Sequence, residues 1–582
     1  MSSGSPVKIR VVTRARGFSA LDEYRQLGFH DRSGFACAKS SVAGTTTVTL
    51  LMQNMRAVLG RSGVRLRVQP GMTVTELQRL ATSQNLTVPL GVMPGYADLT
   101  IGGLLATGAH GFGGKGSSNI ADIVKVITFV DGTGEINRVN RNSAVGRGLS
   151  GGLGMLGVMT EIVLQLQPGL GKTRSWSTGA RSDANMAQEL NDLWDEHSNL
   201  QIYWRPDLGL YRTVITQEVP ANTPFDPPFI NAALTPVGGF LKPRNDANLK
   251  QSGQLLAAIH LDTPNPDAAA GLCQLFAGSL IDASQNGWAL GFRNNNGVIE
   301  PVISDNATGL TNQLQNSDCD NPGTPQSGTG GCFFEQTAWD RINAQELEDG
   351  TPQGLLTPSV TLEEAEFTLN SKNLSAFIED GKLMATTLLP GTCWPGSLII
   401  MRTGGPTADH IGPQMGSRSD RFMWVEYAQF RPNIPLKPAD GLKPRLQKKG
   451  SALQEYFEQL MVCKYKARPH WGKSWPRVFT STACPVRDLY PASNLAKQLS
   501  LQQQYDPSKL FETEMLSVVL AGGVARSPDP SPYCTNELGC YCVHDDDCGS
   551  PAGYGLPSAA LCCQTAPEGL APFKVCLPCP AG

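Results

Sequence analysis

The chain is 582 residues long, enough for two to four domains of roughly 100–200 residues each with well-buried cores. Charged residues make up 17% of it and the formal net charge is −3, so no global basic field points to nucleic acid or to an anionic membrane surface. No apolar run reaches the ~18 residues that would span a bilayer, and 62 Gly and 41 Pro with 40% hydrophobic residues describe a loop-rich globular protein.

Val7, Ile9, Val11 and Val12, interleaved with Lys8 and Arg10, predict a strand over 7–13 that enters a turn at Arg14-Ala15-Arg16-Gly17-Phe18-Ser19. Val64-Arg65-Leu66-Arg67-Val68 alternates apolar and charged residues and stops at Pro70-Gly71, the pattern of a half-buried strand and turn. Thr73-Val74-Thr75-Glu76 is a capping box, and Leu77, Leu80 and Ala81 share one face of the helix it opens, predicted over 73–84.

Leu99 to Gly114 then gathers glycines around a single imidazole, His110. Glycine admits positive φ and close backbone approach, so successive N–H groups there can form a concave anion site for a phosphate-bearing cofactor. Spacing alone equally allows a glycine-softened strand and turn with no ligand. Val124–Val130 reads as a strand turned by Asp131-Gly132 into a hairpin with Glu135–Val139. A second glycine segment, Leu149 to Thr160, leads into the alternating strand Thr160, Ile162, Leu164, Leu166, and Pro168-Gly169 closes this unit.

From about residue 170 the texture changes. Helical stripes appear at Met186, Leu190, Leu193 and Trp194 and at Leu453, Tyr456, Phe457, Leu460 and Met461. Residues 217–247 and 304–331 read as surface loops, with Cys319 and Cys332 placed to close the second as a disulfide. Lys443 to Lys449 is a basic patch of the kind most solvated loops carry.

Eight of the 15 cysteines crowd into the last fifty residues: Cys534, Cys540, Cys542, Cys548, Cys562, Cys563, Cys576 and Cys579. That density, with the acceptor triplets at Asn85, Asn306 and Asn373, points to an oxidising, secretory compartment, although Met1–Pro6 carries no signal-peptide pattern. The acidic run His544–Asp547 raises a zinc or calcium site, but paired C-x-x-C spacing is lacking except at Cys576–Cys579. Disulfides and no metal are the expectation.

The series Val11-Val12-Thr13-Arg14, Val68-Gln69-Pro70-Gly71, Leu99 to Gly111, Leu153-Gly154-Met155-Leu156-Gly157-Val158 and Pro469-His470-Trp471-Gly472-Lys473 resembles the flavin-dependent aldonolactone oxidases of the vanillyl-alcohol-oxidase superfamily. Within that group it looks most like the plant-type L-gulonolactone oxidases, whose Cys-rich tail resembles Leu538-Gly539-Cys540-Tyr541-Cys542. The resemblance covers about residues 7–168 and 390–550 well.

It implies an α+β protein: a two-part PCMH-type FAD-binding domain over 7–168, a substrate (cap) domain with a large antiparallel sheet over 169–526, and a disulfide tail over 527–582. The family's first strand and helix are expected to be missing ahead of Val7. Gly102, Gly103, Gly108, Ala109, His110 and Gly111 would line the flavin, with Gly154, Gly157 and Val158 nearby. The turn Arg16–Ser19 has no histidine where many relatives attach FAD covalently, which implies noncovalent FAD.

The implied chemistry is hydride removal from a carbinol carbon while a base takes the hydroxyl proton. Lys473 matches the family's lysine, a base once desolvation lowers its pKa, and Arg402 matches the arginine that orients substrate oxygens. Ile400 stands where the family's glutamate would be, Phe112 replaces a small polar residue, and Glu426 is the candidate replacement acid. Asp506-Pro507 with Phe511 resembles the family's closing structural turn. The implied substrate is an aldono-1,4-lactone such as L-gulono- or L-galactono-lactone, with O2 as acceptor and ascorbate or an analogue as end product. The alternatives are an oxidase of another polyol or oligosaccharide, or a non-catalytic secreted protein on a degenerate flavin scaffold.

Overall fold

The computed structural model describes residues 7–12, 46–94, 99–114, 118–169, 172–177, 181–220, 229–231, 291–293, 299–301, 333–337, 360–388, 396–432, 452–523, 534–535, 539–548 and 561–580. The turn at 14–19, Cys319, Cys332, Asn306, the loop 304–331, most of 217–247 and the patch Lys443–Lys449 lie outside them.

Strand β1 (Val7–Val12) finds its partner in β2 (Thr46–Leu51), and the two run parallel in register from Val7↔Thr46 to Val12↔Leu51. Next come β3 (Val58–Ser62), β4 (Arg65–Val68), β5 (Val124–Val130), β6 (Ile136–Asn140) and β7 (Val158–Gln165). They form an antiparallel five-stranded sheet in the order β3-β4-β7-β5-β6.

Helix α1 (Val74–Ser83) is fixed at its start by the expected capping box: Thr73 Oγ1 accepts from Glu76 N at 3.2 Å while Thr73 N donates to Glu76 Oε2 at 2.8 Å. Its face of Val74, Leu77 and Ala81 is buried. The β5–β6 turn is tied by Asp131, whose Oδ1 accepts from Thr133 N at 2.9 Å and Glu135 N at 3.1 Å. Asp506 builds the closing turn by accepting from Leu510 N at 2.8 Å and Phe511 N at 2.9 Å.

The glycine stretch differs from the glycine-softened strand and turn that its spacing alone allows. Ile101–Thr107 is a seven-residue helix, α2, opened by Thr100 as N-cap and closed by Gly108 at φ 65°. A cap on each side and the buried Leu104 and Leu105 make helix the better use of this backbone despite Gly102 and Gly103.

The second sheet is assembled from β8 (Lys172–Ser177), β9 (Leu200–Arg205), β10 (Leu210–Val219), β11 (Phe229–Asn231), β12 (Phe333–Thr337), β13 (Val360–Asn370), β14 (Gly396–Gly404), β15 (Phe422–Pro432) and β16 (Arg468–Pro469). Their order is β11-β12-β8-β10-β9-β14-β15-β13-β16, with the short strand Arg181–Ser182 added beside β10. Among the described residues of this sheet only the β11–β12 pair is parallel. Helices α3 (Met186–Glu196), α4 (Leu374–Leu388) and α5 (Ala452–Gln459) bury Met186, Leu190 and Trp194, then Phe377 and Ile378, then Leu453, Tyr456 and Phe457. Leu460 and Met461 of the second predicted stripe lie in a π-helical turn, Leu460–Lys464, that extends α5. One continuous apolar core joins the two sheets.

A strap from the β14–β15 connection ties the large sheet to the first. Asn119 Nδ2 donates to Gln414 Oε1 at 2.7 Å, the Cβ position of Gly108 meets Pro413 at 3.0 Å, and Arg141 pairs with Asp409, which is 1% exposed. Burial pushes the Asp409 carboxyl up, against the pull of Arg141. Asp409→Ala strands the Arg141 guanidinium without that partner in the interior, a cost of about 3–5 kcal/mol. The expected result is a fall of several degrees in apparent Tm by calorimetry, and an unchanged Tm would refute the strap.

The tail cysteines are all disulfide-bonded, as Cys534–Cys540, Cys542–Cys563, Cys548–Cys576 and Cys562–Cys579, and Cys463–Cys484 braces the segment after the π-turn. Cys576 and Cys579 therefore bond elsewhere rather than to each other. Asp547 serves as a local cap, accepting from Val543 N at 2.8 Å and His544 N at 2.9 Å. The tail's hairpin, β17 (Leu561–Thr565) with β18 (Lys574–Pro578), lies against α5, where Cys576 N donates to Glu455 Oε2 at 3.0 Å. Among the described residues no helix is long and apolar enough to cross a membrane.

Candidate active site

Strand register places the charges. On one face, Glu366 of β13 sits opposite Glu426 of β15, which sits opposite Ile400 of β14; the next matching row is Thr368, Trp424 and Arg402. Two carboxylates directly opposite each other across antiparallel strands repel, and two cations are set between them. Arg402 reaches Glu366 Oε1 at 2.8 Å through Nη1 and Glu426 Oε2 at 2.7 Å through Nη2. Lys473 Nζ lies 3.0 Å from Glu426 Oε2 and 3.2 Å from Glu366 Oε2. The four side chains close a ring of alternating charge.

The segment bearing Lys473 is clipped to Glu366 itself. β16 pairs Pro469 with Phe367, His470 N donates to the Glu366 carbonyl at 2.8 Å, and Ser474 Oγ donates to the same oxygen at 3.1 Å. Side-chain exposure falls from 20% at Arg402 through 11% at Lys473 to 2% at Glu426 and 0% at Glu366. Arg402 and Lys473 are thus the groups within reach of a ligand, and the carboxylates hold them. Burial alone would raise Glu366, but Lys473, His110 and Arg402 hold it well below the usual carboxylate range.

His110 arrives from the other sheet. After the Gly108 cap the chain pairs at His110↔Asn119 and Gly113↔Gly404, which lays the segment against the end of β14. Its ring stacks on Trp424 with centroids 3.5 Å apart and planes 3° apart, and its Nε2 lies 3.3 Å from Glu366 Oε2. His470 meets both rings edge-on at 5.7 Å. Burial pushes His470 down to about 3, and its Nδ1 accepts from Gly472 N at 3.0 Å. His110, Glu366 and His470 offer ligand-type atoms within 4.8 Å of one another. The two cations already sharing Glu366 oppose a metal ion there.

Lys473, Arg402, Glu426 and His110 thus come together as one cluster. Lys473 is not the lone desolvated amine expected: two carboxylates face it, and their pairing opposes the desolvation on which that expectation rested. Glu366 was missed by sequence reading. Its only signal is a glutamate amid Ala365, Phe367 and Leu369 on a strand whose residues 365–369 are all buried.

The glycines divide. The amides of Gly102, Gly108, Ala109 and Gly111 donate within the protein, to Pro70, Leu105, Leu104 and Ser118 carbonyls, and Gly103 N donates to Thr100 Oγ1 at 3.4 Å. The Cβ positions at Gly102, Gly111 and Gly157 fall against protein atoms at 2.7, 2.3 and 2.2 Å, so close packing alone requires glycine there. The run of amides pointing at an anion is therefore not the arrangement at 102–111. Gly154 differs: it has φ +76° with open space before it, at the turn that leads into Val158, 9% exposed at the start of β7. Trp424 Nε1 is buried with no hydrogen-bond partner. An open glycine turn and an unused indole donor beside the charged ring fit a planar cofactor with a phosphate tail.

A family model described as an FAD binding domain matches residues 32–140, and one described as D-arabinono-1,4-lactone oxidase matches residues 445–519. The chain is 25% identical over 543 residues to "Probable L-gulonolactone oxidase 6" of Arabidopsis thaliana, covering 90% of this chain and 79% of that protein. It is 24% identical to "L-gulonolactone oxidase 5" of the same plant, covering 84% and 75%. Among solved structures, a solvent-stable cholesterol oxidase superposes with a TM-score of 0.56 at 17% identity, over 88% of this chain and 90% of that one. A cholesterol oxidase from B. sterolicum gives 0.56 at 13%, over 88% and 89%.

Proposed function

We propose, from its similarity to the plant L-gulonolactone oxidases, that this chain, an FAD-dependent oxidoreductase with a PCMH-type flavin domain, oxidises the C2 hydroxyl of an aldono-1,4-lactone. L-Gulono- or L-galactono-lactone is the substrate class, O2 the acceptor and ascorbate or an analogue the end product. The observation that carries this reading is the closed ring of Arg402, Glu426, Lys473 and Glu366, exposed only at its two cations. The similarity to L-gulonolactone oxidases over most of the chain favours this reading over the non-catalytic scaffold.

FAD, when bound, supplies the hydride acceptor; the Gly154 turn, the His110 segment and Trp424 are the described residues that would hold it. Arg402 presents paired N–H donors to the lactone oxygens and stabilises the alkoxide-like charge that develops as hydride leaves. The hydroxyl proton passes to the Lys473–Glu426 pair: Lys473 Nζ, the more exposed member, takes it while handing one of its own protons to Glu426 Oε2, 3.0 Å away. Ile400, directly opposite Glu426 in the sheet, explains how the site manages without a carboxylate at 400: the charge comes from the neighbouring strand.

The tail's four disulfides support an oxidising compartment, and secretion with glycosylation at the exposed Asn85 belongs to this reading. Hydrogen peroxide release across a panel of aldonolactones and polyols tests it. Release with 1,4-lactones above all is expected, while preference for an open-chain polyol would favour the polyol-oxidase alternative.

A further inference from the structure

The two buried histidines of the site differ in what their Nδ1 atoms face, and the difference counts protons. His470 Nδ1 accepts from the Gly472 N–H at 3.0 Å, so that nitrogen bears no proton and the ring is neutral. His110 Nδ1 stands 2.7 Å from the Gly111 carbonyl oxygen. A carbonyl only accepts, so this nitrogen must carry a hydrogen and donate it. In a neutral imidazole the other nitrogen, Nε2, is then a bare lone pair. It lies 3.3 Å from Glu366 Oε2, inside a protein that leaves both groups almost no water. A bare Nε2 beside an ionised carboxylate oxygen, where water is excluded, costs free energy even with Lys473 Nζ 3.2 Å from that oxygen.

We infer that the His110–Glu366 pair holds one proton between Nε2 and Oε2 in the resting protein, giving the cluster of His110, Glu366, Arg402, Glu426 and Lys473 a net charge of +1. Without that proton the two cations and two carboxylates cancel. The surroundings accommodate it. Trp424 offers its ring face to His110 at 3.5 Å, which attracts a charged imidazolium. The same Glu366 oxygen lies 3.2 Å from Lys473 Nζ, while Arg402 takes the other oxygen. Burial lowers His110 by more than Glu366 raises it; it is the contact geometry that puts a shared proton here, and the two groups titrate as a unit with the proton belonging to the pair. The charged and titratable groups facing it are Glu366 from β13, Arg402 from β14, Glu426 from β15, and His470 and Lys473 from the segment after β16.

The consequence for catalysis rests on the oxidase reading: a buried surplus of one positive charge favours the alkoxide over the neutral hydroxyl, and His110 and Glu366 act as positioning residues that keep that surplus in place. The proton itself does not depend on that reading and is tested without turnover.

The experiment uses the full-length protein at neutral pH, labelled with ring-15N histidine, and long-range proton–nitrogen correlation spectra. Isotope-edited infrared spectra of glutamate-labelled protein accompany them. His110 is assigned by the peak lost in His110→Gln, or, if that variant does not fold, by elimination using single Gln variants of the other six histidines. The expected result is either a His110 ring with two N–H-type nitrogens or a carboxylic-acid carbonyl band that vanishes in Glu366→Gln. In Glu366→Gln the amide itself supplies a donor to Nε2, so His110 should become singly protonated. A wild-type His110 with one bare nitrogen, together with no carboxylic-acid band, would overturn the inference whether or not the protein oxidises lactones.

Discussion

Lys473→Met will lose lactone turnover by on the order of 10²–10⁴-fold in kcat while the protein keeps its yellow flavin spectrum. The loss has two sources. The hydroxyl proton loses the group that accepts it, and Glu426 is no longer reached through the ammonium 3.0 Å away. Glu366 and Glu426 then face each other in register with Arg402 alone between them, so a fall in apparent Tm is expected alongside the kinetic loss. The flavin spectrum separates the effects: a variant that binds flavin but does not turn over has lost chemistry, whereas wild-type kcat would remove Lys473 from the site. Lys473→Arg keeps the charge but not the compact ammonium, and should recover stability more than rate.

Arg477→Met will destabilise the protein by about 3–5 kcal/mol and loosen the tail. Arg477 is 1% exposed; its Nε lies 2.5 Å from Glu458 Oε2, and Glu455 Oε1 lies 3.9 Å from its Nη1. Tyr541 of the tail sits over the guanidinium at 5.3 Å and bonds Glu458 Oε2 at 3.3 Å. Removing the cation leaves two buried carboxylates on α5 with no charge to answer them. Arg477 lies four residues after Lys473, so the same anchor that docks the tail also holds the segment carrying Lys473. Limited proteolysis should release fragments of the tail region from Arg477→Met faster than from wild type, and equal rates would count against the anchor.

The anchor also gives the stability a pH slope. Burial, resisted by Arg477 and the Cys576 N–H and reinforced by Glu458, pushes Glu455 from 4.5 up to about 7. A carboxyl whose folded value is raised contributes stability that is complete below about 4.5 and lost as pH climbs through about 7, on the order of 3 kcal/mol in all. Apparent Tm should therefore decline between about pH 5 and pH 7.5, and Glu455→Gln, which keeps an acceptor for Cys576 N–H, should flatten that decline.

Much of this was legible in the chain, for reasons that differ by element. The α1 helix and the β5–β6 hairpin are written locally, in a capping box and an Asp-Gly turn, so reading them needed nothing distant. Arg402, Lys473 and His110 stood out because each lies in a short run whose order along the chain matches a known family. Glu366 did not, because its role depends on register. Only when β13 and β15 are laid side by side does it face Glu426, and nothing near residue 366 announces that partner. The glycines misled in the opposite direction. Gly102, Gly111 and Gly157 are glycine because other backbone or proline atoms occupy their Cβ positions, a packing demand that looks the same in sequence as a cofactor cradle. The tail cysteines announced disulfides by density, but their docking on Glu455, Glu458 and Arg477 could be seen only in three dimensions.

The central claim, that the ring of Arg402, Glu426, Lys473 and Glu366 oxidises an aldonolactone with FAD, is tested most directly by mixing flavin-replete protein with L-gulono-1,4-lactone in the absence of oxygen and following the visible flavin band. The account predicts that the band bleaches in the wild-type protein, persists in Lys473→Met, and returns in the wild type when air is admitted. A flavin band that stays unchanged with every aldonolactone and polyol offered would contradict it.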